Sequence, residues 1–86
     1  MFVIVTYDVA SKRVSKVMKT CRKYLKHVQK SVFEGMITEG KLKRLKGELE
    51  TIINCTEDKI CIYKIDNLKF TSKEQIGVIN SIDNIL

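Results

Sequence analysis

The chain has 86 residues, of which 44% are hydrophobic and 30% are charged, and it contains no proline. This composition indicates one small globular domain and excludes a disordered or fibrous chain. No stretch approaches the roughly 20 apolar residues of a membrane span, and the first apolar run lacks the basic start of a signal peptide. We therefore expect a soluble, cytoplasmic protein with no membrane partner.

The charge is distributed unevenly along the chain. Residues 1–46 hold 12 Lys and Arg against 3 Asp and Glu (+9), residues 47–86 hold 4 against 7 (−3), and the net charge is +6. A basic half on so small a domain favours a nucleic acid as partner over a merely solvated surface. The three cysteines, Cys21, Cys55 and Cys61, form no CxxC pair, which predicts reduced thiols without zinc or disulfides.

The first predicted elements are a strand and a basic amphipathic helix. Residues 2–7 are short, apolar and rich in β-branched side chains, which predicts a strand buried on both faces and ending at Asp8. A helix follows over 11–25, with Ser11 as its N-cap. Its apolar stripe consists of Val14, Val17, Met18, Cys21 and Leu25, and its outer face carries Lys12, Arg13, Lys16, Lys19, Arg22, Lys23 and Lys26.

The middle of the chain predicts two extended segments, a second helix and a further strand. "KHVQKSVFEGMI" is extended, either as a tight hairpin or as a bent strand with a bulge near Lys30–Ser31. A helix over 39–53 follows, capped by Thr38, and residues 58–65 form a strand. The order strand, helix, strand, strand, helix, strand is that of an α+β, ferredoxin-like domain, an antiparallel sheet with both helices on one face.

The tail carries one more predicted strand. Residues 1–65 form the core of this single domain, and residues 66–86 form a C-terminal segment in which 74–79 have strand character. Because an open sheet edge invites pairing, we expect this fifth strand to be exchanged with a partner protomer.

Asp8 lies where a buried strand ends and basic residues follow at once. Asp is common at strand ends and turns, but it is equally an oxygen ligand for a metal. "VIVTYDV", the basic helix after it and "HVQKSVFEG" together resemble the CRISPR-associated protein two (Cas-two) family, the small ferredoxin-like spacer-acquisition proteins. The resemblance covers residues 2–65 in order and spacing, and "KEQIGVI" is similar to the family's last strand.

This resemblance implies a homodimeric endonuclease that cleaves phosphodiester bonds of RNA or DNA with Mg²⁺ or Mn²⁺. It places the catalytic and metal-binding role on Asp8, which meets its two-fold mate so that one acid per chain supplies two ligands. It also implies the CRISPR integrase (Cas-one family) as a partner.

Further residues are candidates for contact with the nucleic acid. Lys12, Arg13 and Lys16 lie early in the basic helix and are expected to contact phosphates, and Ser31 either binds a phosphate or closes a turn. Tyr7 and Phe33 contact the substrate or pack in the core. His27, where the family more often has Arg, is either a proton-transfer group or an exposed strand residue.

Other functions remain open at this level. The dimer could act as a non-catalytic scaffold that binds DNA and bridges the integrase. The fold alone also allows a toxin-type ribonuclease or a module that senses a small molecule, although the uneven charge argues against the sensor.

Overall fold

The computed structural model describes residues 1–66 and two isolated positions, 74 and 76. The elements are β1 (Phe2–Asp8), α1 (Ser11–Arg22), β2 (Lys26–Gln29), β3 (Val32–Met36), α2 (Glu39–Ile52) and β4 (Lys59–Ile65). The strands form one antiparallel sheet in the order β2-β3-β1-β4. This confirms the predicted ferredoxin-like fold. The predicted strand over 74–79 lies outside the described residues, apart from those two positions.

The two helices cover only one face of the sheet. Along the central strand β1, Val3, Val5 and Tyr7 are buried, whereas the alternate side chains from Phe2 to Thr6 are only half-buried and Asp8 is exposed. The prediction that this strand is buried on both faces is therefore wrong. Both helices pack on the same side, so no element within residues 1–66 covers the opposite side of the sheet, here called the open face.

The core lies between the helices and the covered face of the sheet. Val17 and Cys21 of α1 pack with leucines of α2 against the buried side chains of β1 and against Phe33 of β3. Burial raises the pKa of the Cys21 thiol to about 11, so this cysteine stays protonated and behaves as a small apolar side chain. Within residues 1–66, neither helix is long and apolar enough to cross a membrane.

The helix starts differ from each other in how they are capped. At α2 the prediction is confirmed, because the Thr38 hydroxyl accepts a hydrogen bond of 3.2 Å from the Lys41 N–H. At α1 the predicted cap is wrong: Ser11 is the first helical residue, and the capping position belongs to Ala10, whose side chain has no acceptor.

Strands β2 and β3 form a tight hairpin, the first of the two predicted alternatives. The turn is Lys30–Ser31, and Ser31 has a left-handed φ of 63°. The pairing is irregular between His27 and Gln29 rather than at the turn itself.

Candidate metal and nucleic-acid site

Asp8 ends β1 on the open face of the sheet. Its neighbour Tyr7 is buried under the helices, so the alternation of the strand turns the Asp8 carboxylate to the other side, where it is exposed. The residue directly opposite it on β4 is Lys59, which is also exposed. Asp8 forms no ion pair within the part of the chain that the structure describes.

Three loops meet at this end of β1, and we call the region the Asp8 edge. The Tyr7 N–H donates a hydrogen bond of 3.1 Å to the carbonyl of Ser31 in the hairpin turn. The Ala10 N–H, just before α1, donates one of 2.9 Å to Asp58 Oδ1 in the loop between α2 and β4. Asp8 is thus surrounded by the hairpin turn, the start of α1 and the start of β4.

Exposed lysines lie around the Asp8 edge. Lys12 is in the first turn of α1, Lys30 is in the hairpin turn, and Lys59 faces Asp8 across the sheet. Lys30 and Lys59 were not predicted as site residues, because their nearness to Asp8 follows from the turn position and the β1–β4 register. These cations give the edge the charge to hold a phosphodiester beside the carboxylate.

The donor set at Asp8 suits a hard cation whose coordination is completed from elsewhere. Among residues 1–66, 74 and 76 there is no group of three or more acidic, His or Cys side chains that could hold a metal ion. Mg²⁺ keeps several waters and is commonly held by one or two carboxylates. An exposed Asp8 fits that requirement, and a second chain bringing its own Asp8 would complete it.

Arg13 is occupied by carboxylates and does not face solvent as a free cation. Its Nε lies 2.5 Å from Asp58 Oδ2, and its Nη2 lies 3.0 Å from Glu57 Oε1. The Arg13 side chain is 14% exposed and that of Asp58 is fully buried. The structure therefore does not support the prediction that Arg13 contacts phosphate, because two of its three nitrogens already serve the fold.

Asp58 is held as an anion by this pairing. The Arg13 guanidinium, followed by the N–H groups of Asn54 and Ala10, keeps the pKa of the Asp58 carboxyl well below its usual range despite burial. The same bonds raise the pKa of Arg13, with Asp58 as the main cause. Both groups are therefore charged near neutral pH, and the ion pair is formed there.

Tyr7, Phe33 and His27 form an aromatic row beneath the helices. The Phe33 ring lies 4.5 Å from His27 and 6.2 Å from Tyr7, measured between ring centroids. Phe33 is 0% exposed and Tyr7 is 6% exposed, so neither can stack on a base without unpacking the core. Of the two alternatives predicted for Tyr7 and Phe33, the structure shows packing in the core. Burial raises the pKa of the Tyr7 phenol.

His27 is half-buried on the same side, contrary to the prediction of an exposed strand residue. Its Nε2 is enclosed and has no hydrogen-bond partner among the described residues. Burial, followed by the nearby charge of Arg22, lowers the pKa of His27. Because His27 pairs with Phe33, which pairs with Val5, it lies on the covered face of the sheet, away from Asp8.

A second charged surface is formed by the two helices. We call it the helical basic face, and it consists of the exposed residues Lys16, Lys19 and Arg22 of α1 and Lys41, Lys43, Arg44 and Lys46 of α2, whereas Lys12, at the start of α1, belongs to the Asp8 edge. The helices pack against each other, so the two rows belong to one layer. Lys23 is excluded from the set because it is paired with Glu48. The layer covers the side of the sheet opposite to the Asp8 carboxylate.

The chain matches the family model described as CRISPR associated protein Cas2 over residues 1–73. It is 45% identical over 78 residues to a protein of Dictyoglomus turgidum named CRISPR-associated endoribonuclease Cas2, covering 91% of this chain and 90% of that protein. A Thermotoga maritima protein of the same name is 43% identical over 86 residues, covering 100% of this chain and 99% of its own length.

Solved structures agree with the sequence relatives. A crystal structure described as Cas2 superposes with a TM-score of 0.84 and 36% identity, covering 94% of this chain and 91% of that chain. The structure of Streptococcus pyogenes Cas2 at pH 6.5 has a TM-score of 0.77 and 36% identity, covering 90% of this chain and 100% of the other.

Proposed function

The chain belongs to the Cas2 family of CRISPR-associated proteins, and on that basis we propose that it is a divalent-metal-dependent endoribonuclease of CRISPR spacer acquisition. The relatives carry the name endoribonuclease, which supports RNA as the substrate. The single observation that carries the proposal is the exposed Asp8 carboxylate at the end of a central strand, on the open face of the sheet.

The open face supports a homodimer in which two copies of Asp8 approach each other. Residues that pair directly across strands share a face, and Phe2 pairs with Met36 and Ile65 while Ile4 pairs with Tyr63. Met36 is 64% exposed and Tyr63 is 56% exposed. An apolar patch of this kind on a small domain is typical of a protein interface, and Asp8 lies at its end.

Asp8 would hold the cation through its carboxylate oxygens, together with Asp8 of the partner subunit. A cation held there would supply Lewis-acid activation of the attacking water and would stabilise charge developing on the phosphate. Lys30 and Lys59 bring the phosphodiester to the Asp8 edge by charge attraction. His27 does not move a proton at this site, because it lies on the covered face of the sheet.

The proposal is tested by replacing Asp8 with asparagine and measuring RNA cleavage with Mg²⁺ and with Mn²⁺. The substitution keeps the shape and removes the charge, so we expect cleavage to be lost while the dimer and RNA binding persist. Asp66→Asn is the matched control, because Asp66 is also an exposed carboxylate next to a strand end. Cleavage at the wild-type rate by Asp8→Asn would refute the proposed role.

A second function is supported by the helical basic face. Since it lies on the side away from Asp8, it can hold a DNA backbone without involving the carboxylate, as a dimeric scaffold for the CRISPR integrase would require. In that function Asp8→Asn leaves spacer integration intact, whereas replacing basic residues of the helices impairs it. An integration assay with both variants therefore separates the scaffold from the nuclease.

A further inference from the structure

Asp58 connects two segments that are far apart in the sequence, residues 10–13 and residues 54–58. Its carboxylate accepts hydrogen bonds from the Ala10 N–H at 2.9 Å, from the Asn54 N–H at 2.9 Å, and from Arg13 Nε at 2.5 Å and Nη2 at 3.1 Å. We call Asp58 and Arg13 with these bonds the Asp58 clasp. It connects the loop after β1, the first turn of α1 and the loop before β4.

The clasp replaces the local cap that α1 lacks. Ala10 occupies the capping position and offers no side-chain acceptor, and the first turn of α1 contains no acidic residue. Asp58 accepts the Ala10 N–H in the way that an acidic residue of the third helical position does in a capping box. It also places a negative charge at the start of α1, where the helix dipole favours an anion.

The clasp is connected to Asp8 in two ways. Along the chain, Ala10 is two residues after Asp8, so anchoring the Ala10 N–H limits where β1 can end. Across the sheet, the residue after Asp58 is Lys59, which pairs with Asp8. Asp8 itself makes no ion pair with a described residue, so these two backbone links are the connections between the clasp and the carboxylate.

We propose that Asp58, through Arg13 and Ala10, is a positioning residue that holds the Asp8 carboxylate in place for the divalent cation. This rests on the proposed function, because it assumes that Asp8 is a metal ligand. Two carboxylates related by a two-fold axis must both reach one small ion. Because the two chains are related by symmetry, any shift of Asp8 toward or away from the axis occurs in both chains. The distance between the two carboxylates then changes by twice that shift.

The test compares metal affinity and local hydrogen exchange among four variants of the full chain. Arg13→Gln and Asp58→Asn break the clasp, whereas Arg13→Lys keeps the positive charge but cannot form the bidentate pair with Asp58. Glu48→Gln is the control: it removes the carboxylate that pairs with Lys23 and Tyr24 just after α1 and weakens the fold away from Asp8. All are measured below their melting transitions, by Mn²⁺ titration and by amide exchange in the metal-free protein.

We expect the clasp variants to weaken Mn²⁺ binding by about 10- to 100-fold, as loss of outer supporting groups commonly does. Amide exchange should rise at Val9, Ala10 and Lys59, and Arg13→Lys should lie between wild type and Arg13→Gln. Glu48→Gln should lower the melting temperature without changing the Mn²⁺ affinity or the exchange of these amides. If Asp58→Asn does not fold, the two Arg13 variants decide the outcome.

The failures of the two proposals can be told apart. A wild-type protein that binds Mn²⁺ and cleaves RNA, with Arg13→Gln and Arg13→Lys matching it in Mn²⁺ affinity, refutes the positioning role alone. A wild-type protein that neither binds Mn²⁺ nor cleaves RNA refutes the proposed function and the positioning role with it.

Discussion

Replacing Tyr63 with alanine should separate the proposed dimer into monomers. Tyr63 lies on the open face, opposite Ile4 of β1, and 56% of its surface is exposed in the single chain. Because it is not packed under the helices, its removal should change the fold of the monomer little. Its side chain is therefore a suitable probe of the interface rather than of the core.

The size of the effect follows from the surface that a dimer would cover. Aromatic side chains bury roughly 150–250 Å², so the open part of Tyr63 is roughly 80–140 Å² when that range is scaled by its exposure. At about 25 cal/mol per Å² this contributes about 2–3.5 kcal/mol per chain. Two copies in a symmetric dimer contribute about 4 kcal/mol or more, which corresponds to about a thousandfold rise in the dimer Kd.

Sedimentation equilibrium over a range of concentrations measures this change directly. Lys64→Ala is the matched control, because Lys64 is exposed, follows Tyr63 on the same strand and points to the other side. We expect Lys64→Ala to keep the wild-type Kd. A Tyr63→Ala protein with the wild-type Kd and an unchanged circular dichroism spectrum would refute packing through the open face.

Other predictions concern charge, turn geometry and acid sensitivity. Replacing Lys12 and Lys16 together with glutamine should make the slope of log affinity against log salt on duplex shallower by about 1.8; an unchanged slope would show that neither contacts phosphate. Ser31→Gly relieves a left-handed φ of 63° and should raise the free energy of unfolding by up to about 1 kcal/mol, with RNA affinity kept; weaker binding would instead assign the hydroxyl to a phosphate. Burial and Arg22 lower the pKa of His27 from 6.5, so the unfolded chain takes up this proton more readily and stability falls as the pH drops through that value. The melting temperature of His27→Gln should therefore fall less than that of wild type between about pH 7.5 and about pH 5.5. An equal fall in both proteins would contradict this role of His27.

The sequence was sufficient for the order of the elements because each has a distinct apolar period. It could not show which side of β1 the helices cover, since alternation defines two faces without saying which one is packed. For that reason the burial of Tyr7 and Phe33 became clear only in the fold. The family resemblance, rather than periodicity, singled out Asp8 as more than a strand-end residue.

The parts of the site that sequence reasoning missed depend on long-range pairing. Ala10 and Asp58 are 48 residues apart, and Arg13 and Asp58 are 45 apart. A local search for a cap therefore favoured Ser11, and an unpaired Arg13 looked available for phosphate. Lys59 could be placed beside Asp8 only once the pairing register of β1 and β4 was known.

A crystal structure of the protein grown with Mn²⁺, with the ion located by its anomalous scattering, tests whether Asp8 is a shared metal ligand. We predict one Mn²⁺ on a two-fold axis between two open faces, bound by Asp8 and by the partner subunit's Asp8. With metal–oxygen distances near those of Mg²⁺, the two nearest carboxylate oxygens should then lie within about 4 Å of each other. A dimer in which the two Asp8 carboxylates are too far apart to share an ion, with Mn²⁺ bound elsewhere, would contradict it.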